Sequence, residues 1–314
     1  MESNKLKFID LFAGMGGFRI AFERNNCECV FSSEIDKWAC DTYFQNFNVK
    51  PEGDITKIES KNIPDFDILC AGFPCQPFSI GGKRLGFEDT RGTLFFEVAR
   101  IIKDKKPKAF LLENVKGLTN HDGGKTIQVI ENTLKDLGYT IKSAVLNARE
   151  YGIPQNRERW YCLGFDNKIV SSPDQICFPT KCDLEYTLAD IIQTNVDASY
   201  QISDICKANI LKHVKQNNIE VTPYTLANEI RPSRCQFTKG MYAACLTAKM
   251  GTGGNNIPVV VSQNRKLTEN ECLRIMGYPD NYKIPKGYHS YKQLGNSVVV
   301  PLLTKLATEL VSKL

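Results

Sequence analysis

The first half of the chain alternates short apolar runs with segments of helical periodicity, the pattern of a doubly wound α/β sheet. The apolar runs predict six strands, at residues 7–12, 29–33, 67–71, 109–113, 140–147 and 160–165. The periodic segments predict helices at 17–25, 37–47, 93–103 and 125–137, with Gly138 closing the last one. Between about 170 and 265 the apolar runs shorten, which predicts a second, loop-rich domain. Helical periodicity returns at 267–276 and 301–314.

The composition fits a globular protein with one large core and a smaller domain, since 42% of the 314 residues are hydrophobic and 24% are charged. The first ten residues contain no apolar segment of a secretory signal, and the apolar run at 298–303 is short and includes Pro301. We therefore expect a cytoplasmic protein without membrane contact. The 12 cysteines and three histidines form no CxxC pair and no ligand-like cluster, so we expect no metal and mostly buried, reduced thiols.

Positive charge is concentrated late in the chain. The net charge is +5, but residues 201–300 alone carry 13 Lys and Arg against 6 Asp and Glu. Such a surface attracts a phosphate backbone of any sequence, although a solvated Lys-rich surface has the same composition. The asymmetry therefore favours a nucleic-acid partner only slightly.

The segment FIDLFAGMGGF runs from an apolar strand through Gly14, Gly16 and Gly17 into a helix. Glycines at this point allow a tight turn and close approach of a ligand to the backbone. Glu34 ends the next strand, 20 residues after Gly14, where an acid can bind ribose hydroxyls. Asp54, in the sequence GDI, ends what we count as a third βα unit. The GxGG spacing indicates an adenosine-containing cofactor; an ordinary glycine turn and a nicotinamide dehydrogenase stay open as alternatives.

The segment GFPCQPFS follows the strand at 67–71, which this count makes the fourth, at the edge where open α/β sheets bind ligands. Prolines on both sides of Cys75, Pro74 among them, stiffen the backbone, and a loop cysteine is accessible. Its thiolate would be a nucleophile, and a packing cysteine is the alternative. The stretch 76–92 contains glycines with Lys83 and Arg84, which indicates a lid over an anionic polymer or a flexible surface loop.

Three further segments carry polar side chains at ends of predicted elements. Glu113, in ENV, closes the strand at 109–113 (the fifth in this count), where it can exchange a proton with a heterocycle. In QNRER, Arg157 and Arg159 alternate and would share a face of an extended segment. YKQLGNSVVVP contains a Gly-Asn turn at Asn296 before the final helix. Taken singly, these segments also fit an exposed acid, a surface salt-bridge pair and an ordinary turn.

In their order these segments resemble the bacterial DNA cytosine-5 methyltransferase family, over the whole chain except about 170–265. DLFAGMGG resembles the family's cofactor loop, GFPCQPFS its nucleophile loop, and LLENVKG and QNRER the motifs that grip the cytosine. RKLTENECLRIMGYPD and YKQLGNSVVVP resemble its last two blocks. The resemblance implies a Rossmann-like sheet that binds S-adenosylmethionine and needs no metal. At Ile35 a close relative has an aromatic residue. The residues that the resemblance assigns to the cofactor are Phe12, Gly14, Gly16, Gly17, Glu34, Ile35, Asp54, Pro74 and Asn296.

The resemblance also implies a covalent mechanism. Carbon 5 of cytosine is a poor nucleophile, and attack of Cys75 on carbon 6 converts the ring into an enamine. Glu113 would act at ring nitrogen 3 and Arg159 at the exocyclic oxygen, while Arg157 supports the surrounding loop. The target base must be flipped out of the duplex to be reached.

An RNA cytosine methyltransferase is the nearest alternative. Against a non-catalytic DNA-binding regulator stand the intact Cys75, Glu113 and Arg159, and an adenine methyltransferase would have an Asn/Asp-Pro-Pro-aromatic loop in place of GFPCQ. A dehydrogenase would explain neither Cys75 nor the second domain.

The family pattern divides the chain into a catalytic and cofactor-binding domain at 1–187, completed by 292–314, a target-recognition domain at 188–266, and a hinge region at 267–291. Double-stranded DNA is the expected partner. Candidate DNA contacts are Ser79, Lys83 and Arg84 in the long loop, and Arg231 and Arg234, because arginine pairs well with guanine. The resemblance further implies a monomer that works beside a cognate restriction endonuclease, and the recognised DNA sequence is not readable from these residues.

Overall fold

A computed structural model describes residues 5–74, 94–238, 241–252 and 256–314 of the chain. The strands in these ranges are β1 (Lys7–Leu11), β2 (Glu28–Ser33), β3 (Ile68–Gly72), β4 (Ala109–Val115), β5 (Tyr139–Asn147), β6 (Glu158–Asp166), β7 (Leu226–Asn228), β8 (Gln236–Phe237), β9 (Val259–Val260) and β10 (Arg265–Lys266). The helices are α1 (Gly17–Glu23), α2 (Lys37–Phe47), α3 (Leu94–Lys105), α4 (Lys125–Asp136), α5 (Leu188–Ile191), α6 (Asp204–Gln216), α7 (Glu269–Ile275), α8 (Tyr288–Asn296) and α9 (Val300–Val311).

Six strands form the central sheet, in the order β2-β1-β3-β4-β6-β5. Strands β1 to β4 are parallel to one another, whereas β6 is antiparallel to both β4 and β5. The chain winds outward from β1 to β2 and then crosses back to β3, so the direction of winding reverses between β1 and β3. Ligands of open α/β sheets bind at such a reversal, beyond the carboxyl ends of the strands. The predicted α/β class is confirmed, with β6 as an antiparallel member.

Successive side chains of β1 point to opposite faces of the sheet, and both faces are buried. Phe8 packs into a cluster with residues of α1 and α9, while Ile9 and Leu11 pack into a second cluster with residues of α3 and α4. Burial on both faces is why the strands are almost continuously apolar and why helices cover the sheet on both sides. The carboxyl ends of the strands are left as the open edge.

The later part of the chain builds a small antiparallel sheet, in the order β10-β9-β7-β8. Ile210 of α6 packs with Ala227 and Val259 in a small core of this region. Leu226 and Val260, on the same strands, belong instead to the large core. The second region thus has a core of its own and is anchored on the first, while the boundaries predicted at 188–266 and 267–291 stay predictions.

A buried ion pair joins this region to α7. Both terminal nitrogens of Arg265 contact the Glu271 carboxylate, at 2.7 and 2.8 Å, and the same guanidinium donates to the Gln193 carbonyl. The Glu271 carboxylate also accepts from the backbone N–H groups of Thr268 and Gln193. Because every charge in this network has a partner, the pair can be buried and hold the two regions in one arrangement.

Two helices contradict the predicted pattern. The loop-rich stretch contains α6, a 13-residue helix whose N-terminus is capped by the Ser203 hydroxyl. The Gly-Asn turn predicted within 291–301 is instead the last turn of α8, and Ser297 after it is extended. The cap at Ser203, with Asp204 in the first turn, is a signal that could have revealed α6.

The strand count before Asp54 was also wrong. Only a single bridge, between Ser33 and Glu52, forms there, so GFPCQPFS follows the third strand of the sheet and Glu113 lies in the fourth. The segment Tyr288–Val311 is long and apolar enough to cross a membrane by composition, but most of it is buried and residues 297–299 interrupt it between α8 and α9.

Candidate functional site

The loop between β1 and α1 depends on its glycines. Gly14 and Gly16 have φ of +53° and +77°, in the left-handed region that favours glycine. A Cβ on Gly16 would lie 2.3 Å from the Phe47 ring, and one on Gly17 would lie 2.4 Å from Val298. On Gly14, by contrast, a Cβ would meet no described atom closer than 4.0 Å. The loop therefore packs tightly on one side and leaves its backbone open to a ligand at Gly14.

The Glu34 carboxylate is fixed by backbone amides at the end of β2. Its Oε2 accepts from the Gly14 N–H, and its Oε1 accepts from the N–H groups of Ile35 and Asp36, all at 2.8 Å. A carboxylate offers about four lone-pair positions, so three amides leave room for a further donor. The 20-residue spacing between Gly14 and Glu34 is thus a direct contact that joins two strand ends.

A cavity of about 590 Å³ lies over the reversal point of the sheet. Its wall consists of the β1–α1 loop, the ends of β2 and β3, and the end of α8, and includes Phe12, Gly14, Gly17, Phe18, Glu34, Lys292, Gln293, Asn296 and Val298. A second cavity, of about 1250 Å³, shares Phe12, Gly14, Glu34, Gly72, Glu113 and Asn296 with the first. Its wall also includes Ile35, Asp54, Pro74, Arg157 and Arg159.

Glu113 and Arg159 form a pair in the wall of the second cavity. Arg159 Nε lies 3.2 Å from Glu113 Oε1, and both side chains are at least 86% buried. Burial raises the pKa of the Glu113 carboxyl, and the charges of Arg159 and Arg157 oppose that rise without cancelling it. A carboxyl that holds its proton more readily than an exposed glutamate can donate it to a ring nitrogen, beside a guanidinium that can bind an oxygen.

Arg157 has a different environment, although it is only two residues away. It is 3% exposed, and its terminal nitrogens donate to the carbonyl groups of Leu246, Gly295 and Ser297. Desolvation lowers the pKa of its guanidinium, with the nearby charge of Arg159 acting in the same direction. Both arginines line the second cavity, but the terminal nitrogens of Arg157 bind backbone carbonyl groups, two of them on either side of Asn296, and its Nε has no partner among the described residues.

Two further contacts fix the site and were not predicted from the sequence. The buried Asn114 side chain donates to the Phe73 carbonyl at 2.8 Å, which holds the backbone just before Pro74. Lys292 pairs with Asp36 at 3.0 Å and so joins α8 to α2. Burial disfavours the charged Asp36 carboxyl, but Lys292 and two backbone amides outweigh it and lower the pKa. A polar residue after Glu113 at a buried strand end was the only available signal for Asn114.

The predicted site residues fall into three groups. The cavities bring together Phe12, Gly14, Gly17, Glu34, Ile35, Asp54, Pro74, Glu113, Arg157, Arg159 and Asn296, with Gly16 beside them in the same loop. Arg231 and Arg234 line neither cavity and lie in the turn between β7 and β8, where Arg234 pairs with Glu229 at 3.0 Å. Cys75, Ser79, Lys83 and Arg84 lie outside the described residues.

Hydrogen bonds also orient Asp54, in the wall of the second cavity. The Asp54 carboxylate accepts from the N–H and hydroxyl of Thr56, and these bonds lower its pKa. Ile35 is 73% exposed, so its side chain is available to a flat ligand at the cavity edge.

In the described ranges, no three His, Cys, Asp or Glu side chains lie close enough together to hold a metal ion.

The expectation of mostly buried thiols was only partly right. Of the eleven described cysteines five are buried, four are half-buried, and Cys177 and Cys182 are exposed.

Comparison with known proteins gives a consistent result. A family model described as C-5 cytosine-specific DNA methylase matches residues 6–312. The chain is 45% identical over 320 residues to the Type II methyltransferase M.HhaI of Haemophilus parahaemolyticus, which covers 98% of this chain and 95% of that protein. It is also 45% identical over 319 residues to the Type II methyltransferase M1.ScrFI of Lactococcus lactis subsp. cremoris, covering 100% of this chain and 80% of the relative.

The fold is shared with more distant proteins of known structure. The Dnmt2 methyltransferase of S. pombe aligns with a TM-score of 0.73 at 20% identity, over 98% of this chain and 99% of that one. The Entamoeba histolytica methyltransferase EhMeth aligns with a TM-score of 0.72 at 22% identity, over 99% of both chains. At such identities the likeness is one of fold alone.

Proposed function

The chain belongs to the C-5 cytosine-specific DNA methylase family, as a DNA methyltransferase of the Type II restriction–modification type, and from that premise we propose its mechanism. It transfers a methyl group from S-adenosylmethionine to carbon 5 of a cytosine flipped out of duplex DNA. The transfer proceeds through a covalent bond between Cys75 and carbon 6 of the base.

The Glu113–Arg159 pair is the observation that carries this proposal. The two side chains contact each other in the wall of the second cavity, which also includes Pro74, the residue before Cys75. In this proposal Cys75, the next residue of the chain, is the nucleophile that acts beside this acid and guanidinium. Cytosine offers matching groups, because its ring nitrogen 3 can take a proton and its exocyclic oxygen can accept from an arginine.

The chemistry follows from these roles. The Cys75 thiolate forms a bond to carbon 6, and Glu113 supplies a proton to nitrogen 3, which leaves carbons 4 and 5 as an electron-rich enamine. Arg159 stabilises the charge that develops on the exocyclic oxygen. When bound, S-adenosylmethionine supplies an electrophilic methyl group, which carbon 5 accepts. Loss of the carbon 5 proton to a base then breaks the bond to Cys75 and regenerates the thiolate, and nitrogen 3 returns its proton to Glu113.

Arg157 and Asn114 act in this proposal as positioning residues. Arg157 binds the carbonyl groups on both sides of Asn296, and Asn114 holds the Phe73 carbonyl next to the nucleophile loop. The terminal nitrogens of Arg157 and the amide nitrogen of Asn114 bind backbone carbonyl groups rather than the base. Their effect would be to fix the distance between the cofactor site and Cys75, on which a displacement reaction depends steeply.

The residues present fit the adenosine part of S-adenosylmethionine. Glu34 has a remaining acceptor position for a ribose hydroxyl, and Gly14 leaves its backbone uncovered at the cavity. Asp54 and Ile35 line the second cavity, as Glu34 does. We assign Asp54 to the polar edge of the adenine and Ile35 to its face, where an aliphatic side chain packs on the ring in place of an aromatic one.

Duplex DNA is the substrate, and base flipping follows from the position of the acid. Glu113 is 8% exposed, so a base within a helix cannot reach it without leaving its stack. We propose that the region at 188–266 recognises the target, that 1–187 with 292–314 performs catalysis, and that 267–291 is the hinge. Ser79, Lys83, Arg84, Arg231 and Arg234 are the proposed DNA contacts. A cytoplasmic monomer that protects DNA from a partner endonuclease completes the proposal.

A mechanism-based trap tests the proposal without knowledge of the target sequence. A duplex amplified with 5-fluorocytosine at every cytosine contains any short target, and fluorine replaces the proton that must leave carbon 5. The wild-type protein with S-adenosylmethionine should therefore stall after methyl transfer, as a protein–DNA adduct that survives denaturing electrophoresis. C75S should give no adduct, because a hydroxyl is a far weaker nucleophile near neutral pH.

Cys70→Ala is the matched control, since Cys70 is fully buried in β3 five residues before Cys75. Its substitution should cost stability and leave adduct formation intact. An adduct formed by C75S would overturn the covalent mechanism. A fluorinated RNA transcript, tested in parallel, should remain unlinked if DNA is the substrate.

A further inference from the structure

One polar side chain in the wall of the 590 Å³ cavity has no partner. Gln293, on α8, is 6% exposed, and neither its Oε1 nor its Nε2 makes a hydrogen bond to any described residue. Buried amides are nearly always bonded, because an unpaired one has lost its water without compensation. A bound ligand that hydrogen-bonds to this amide would account for a buried glutamine at this position.

The charged groups around the same cavity are already engaged. Lys292 Nζ pairs with Asp36 at 3.0 Å, and Glu34 accepts three backbone N–H groups. Glu113 is paired with Arg159. Within the described part of the wall, the Gln293 amide is therefore a buried polar group whose donor and acceptor both lack a partner in the protein.

The position of Gln293 indicates which part of a ligand it meets. The adenosine-binding candidates Ile35 and Asp54 line only the second cavity, whereas Gln293 lines only the first. Glu34 and Asn296 belong to both and lie where the two join. A ligand with its ribose at Glu34 and its adenine toward Asp54 therefore extends its other end into the cavity that Gln293 lines.

Building on the proposed function, we propose that Gln293 binds the amino-acid end of S-adenosylmethionine. The Nε2 group donates to the carboxylate and Oε1 accepts from the ammonium group. These two ligand charges cancel, so a neutral side chain that both donates and accepts suits them better than a lysine or a glutamate, either of which would add an unpaired charge to a buried site. Gln293 would thus select the complete cofactor over adenosine derivatives that lack the amino acid.

Two ligands separate this role from a structural one. S-adenosylhomocysteine carries the amino acid, and 5′-methylthioadenosine has the same adenosine and sulfur without it. Isothermal titration of the full-length protein should show that Gln293→Leu weakens S-adenosylhomocysteine binding by about 10- to 100-fold, the usual loss for a hydrogen bond to a charged group. Affinity for 5′-methylthioadenosine should change less than about twofold. Gln293→Met, which keeps an unbranched chain, should give the same result and replaces the leucine variant if that one does not fold.

Ser290→Ala is the matched control. Ser290 lies one turn earlier on α8, is buried, and donates to the Pro285 carbonyl, but it does not line the cavity. It should leave the affinities for both ligands unchanged. Equal loss for the two ligands in the Gln293 variants would make Gln293 a packing residue, and unchanged affinity for S-adenosylhomocysteine would remove it from the site; either result overturns the proposal. A wild-type protein that fails to bind S-adenosylhomocysteine at all would instead overturn the proposed cofactor, and this proposal with it.

Discussion

Asp10 gives the stability of this protein a dependence on pH that can be worked out from its surroundings. The side chain lies in β1, is fully buried, and has no hydrogen-bond partner for either carboxyl oxygen among the described residues. Burial raises the pKa of Asp10 from 3.8 to about 8; Arg19 opposes this rise and Glu34 adds to it. Asp10 is therefore protonated in the folded protein at neutral pH and ionised in the unfolded chain.

The sign follows from the binding of one proton. Because the folded pKa is the higher one, the contribution of Asp10 to stability is fully present below pH 3.8 and is lost as the pH rises to about 8. At about 1.4 kcal/mol per pH unit, the whole interval is worth about 6 kcal/mol, and the part from pH 6 to pH 8 is worth roughly 2 kcal/mol, because the folded carboxyl is already half ionised at pH 8. Asp10→Asn keeps the shape of the side chain and has no proton to lose.

Urea unfolding of the wild type and Asp10→Asn, followed by tryptophan fluorescence at pH 6, 7, 8 and 9, tests this reasoning. The stability of the variant relative to wild type should grow by roughly 2 kcal/mol between pH 6 and pH 8 and by less than about 0.5 kcal/mol from pH 8 to pH 9. Asp65→Asn is the control: Asp65 is exposed and Lys105 lowers its pKa, so its variant should run parallel to wild type above pH 6. Parallel curves for Asp10→Asn as well would refute the assignment of a buried, neutral carboxyl.

Two other predictions concern the arginines. Arg157→Lys should lower the free energy of unfolding by roughly 2–5 kcal/mol and weaken binding of S-adenosylhomocysteine at least about tenfold, because one ammonium group cannot bind the carbonyls of Leu246, Gly295 and Ser297 together. Calorimetry measures the affinity, with Arg149→Lys, at an exposed arginine, as the control. An unchanged affinity of the Arg157 variant would contradict the positioning role. Arg234→Ala should lose roughly 1–3 kcal/mol of discrimination between target and random DNA if Arg234 leaves Glu229 to read a base. Competition binding measures this discrimination, and an equal loss of affinity for both DNAs would make Arg234 a phosphate contact.

Local pattern was sufficient for most of the central sheet. The predicted strands at 109–113 and 140–147 became β4 and β5 with ends displaced by two residues or fewer. Strand β4 is buried along almost its whole length and is therefore nearly continuously apolar. The pattern failed where burial is one-sided. Helix α6 has only Ile210 and His213 buried, so its apolar periodicity was too weak to distinguish it from a loop.

For the candidate site, the sequence by itself determined the pieces that depend on backbone conformation and order along the chain. Glycines at 14 and 16 are required by left-handed φ values, and Glu34 and Glu113 lie at the carboxyl ends of strands, where a parallel sheet collects its functional groups. These features are local, so the order of motifs was enough to indicate the family, which the comparisons bear out.

Only the tertiary structure decided what the side chains do there. Arg157 and Arg159 are two residues apart and chemically identical, yet one binds carbonyl groups 89 to 140 residues away and the other pairs with Glu113. Gln293 lies in a cavity wall with residues of the β1–α1 loop, and its buried amide has no partner there. Such roles depend on which distant part of the backbone a side chain contacts after folding, and no short-range pattern of residues encodes these tertiary contacts.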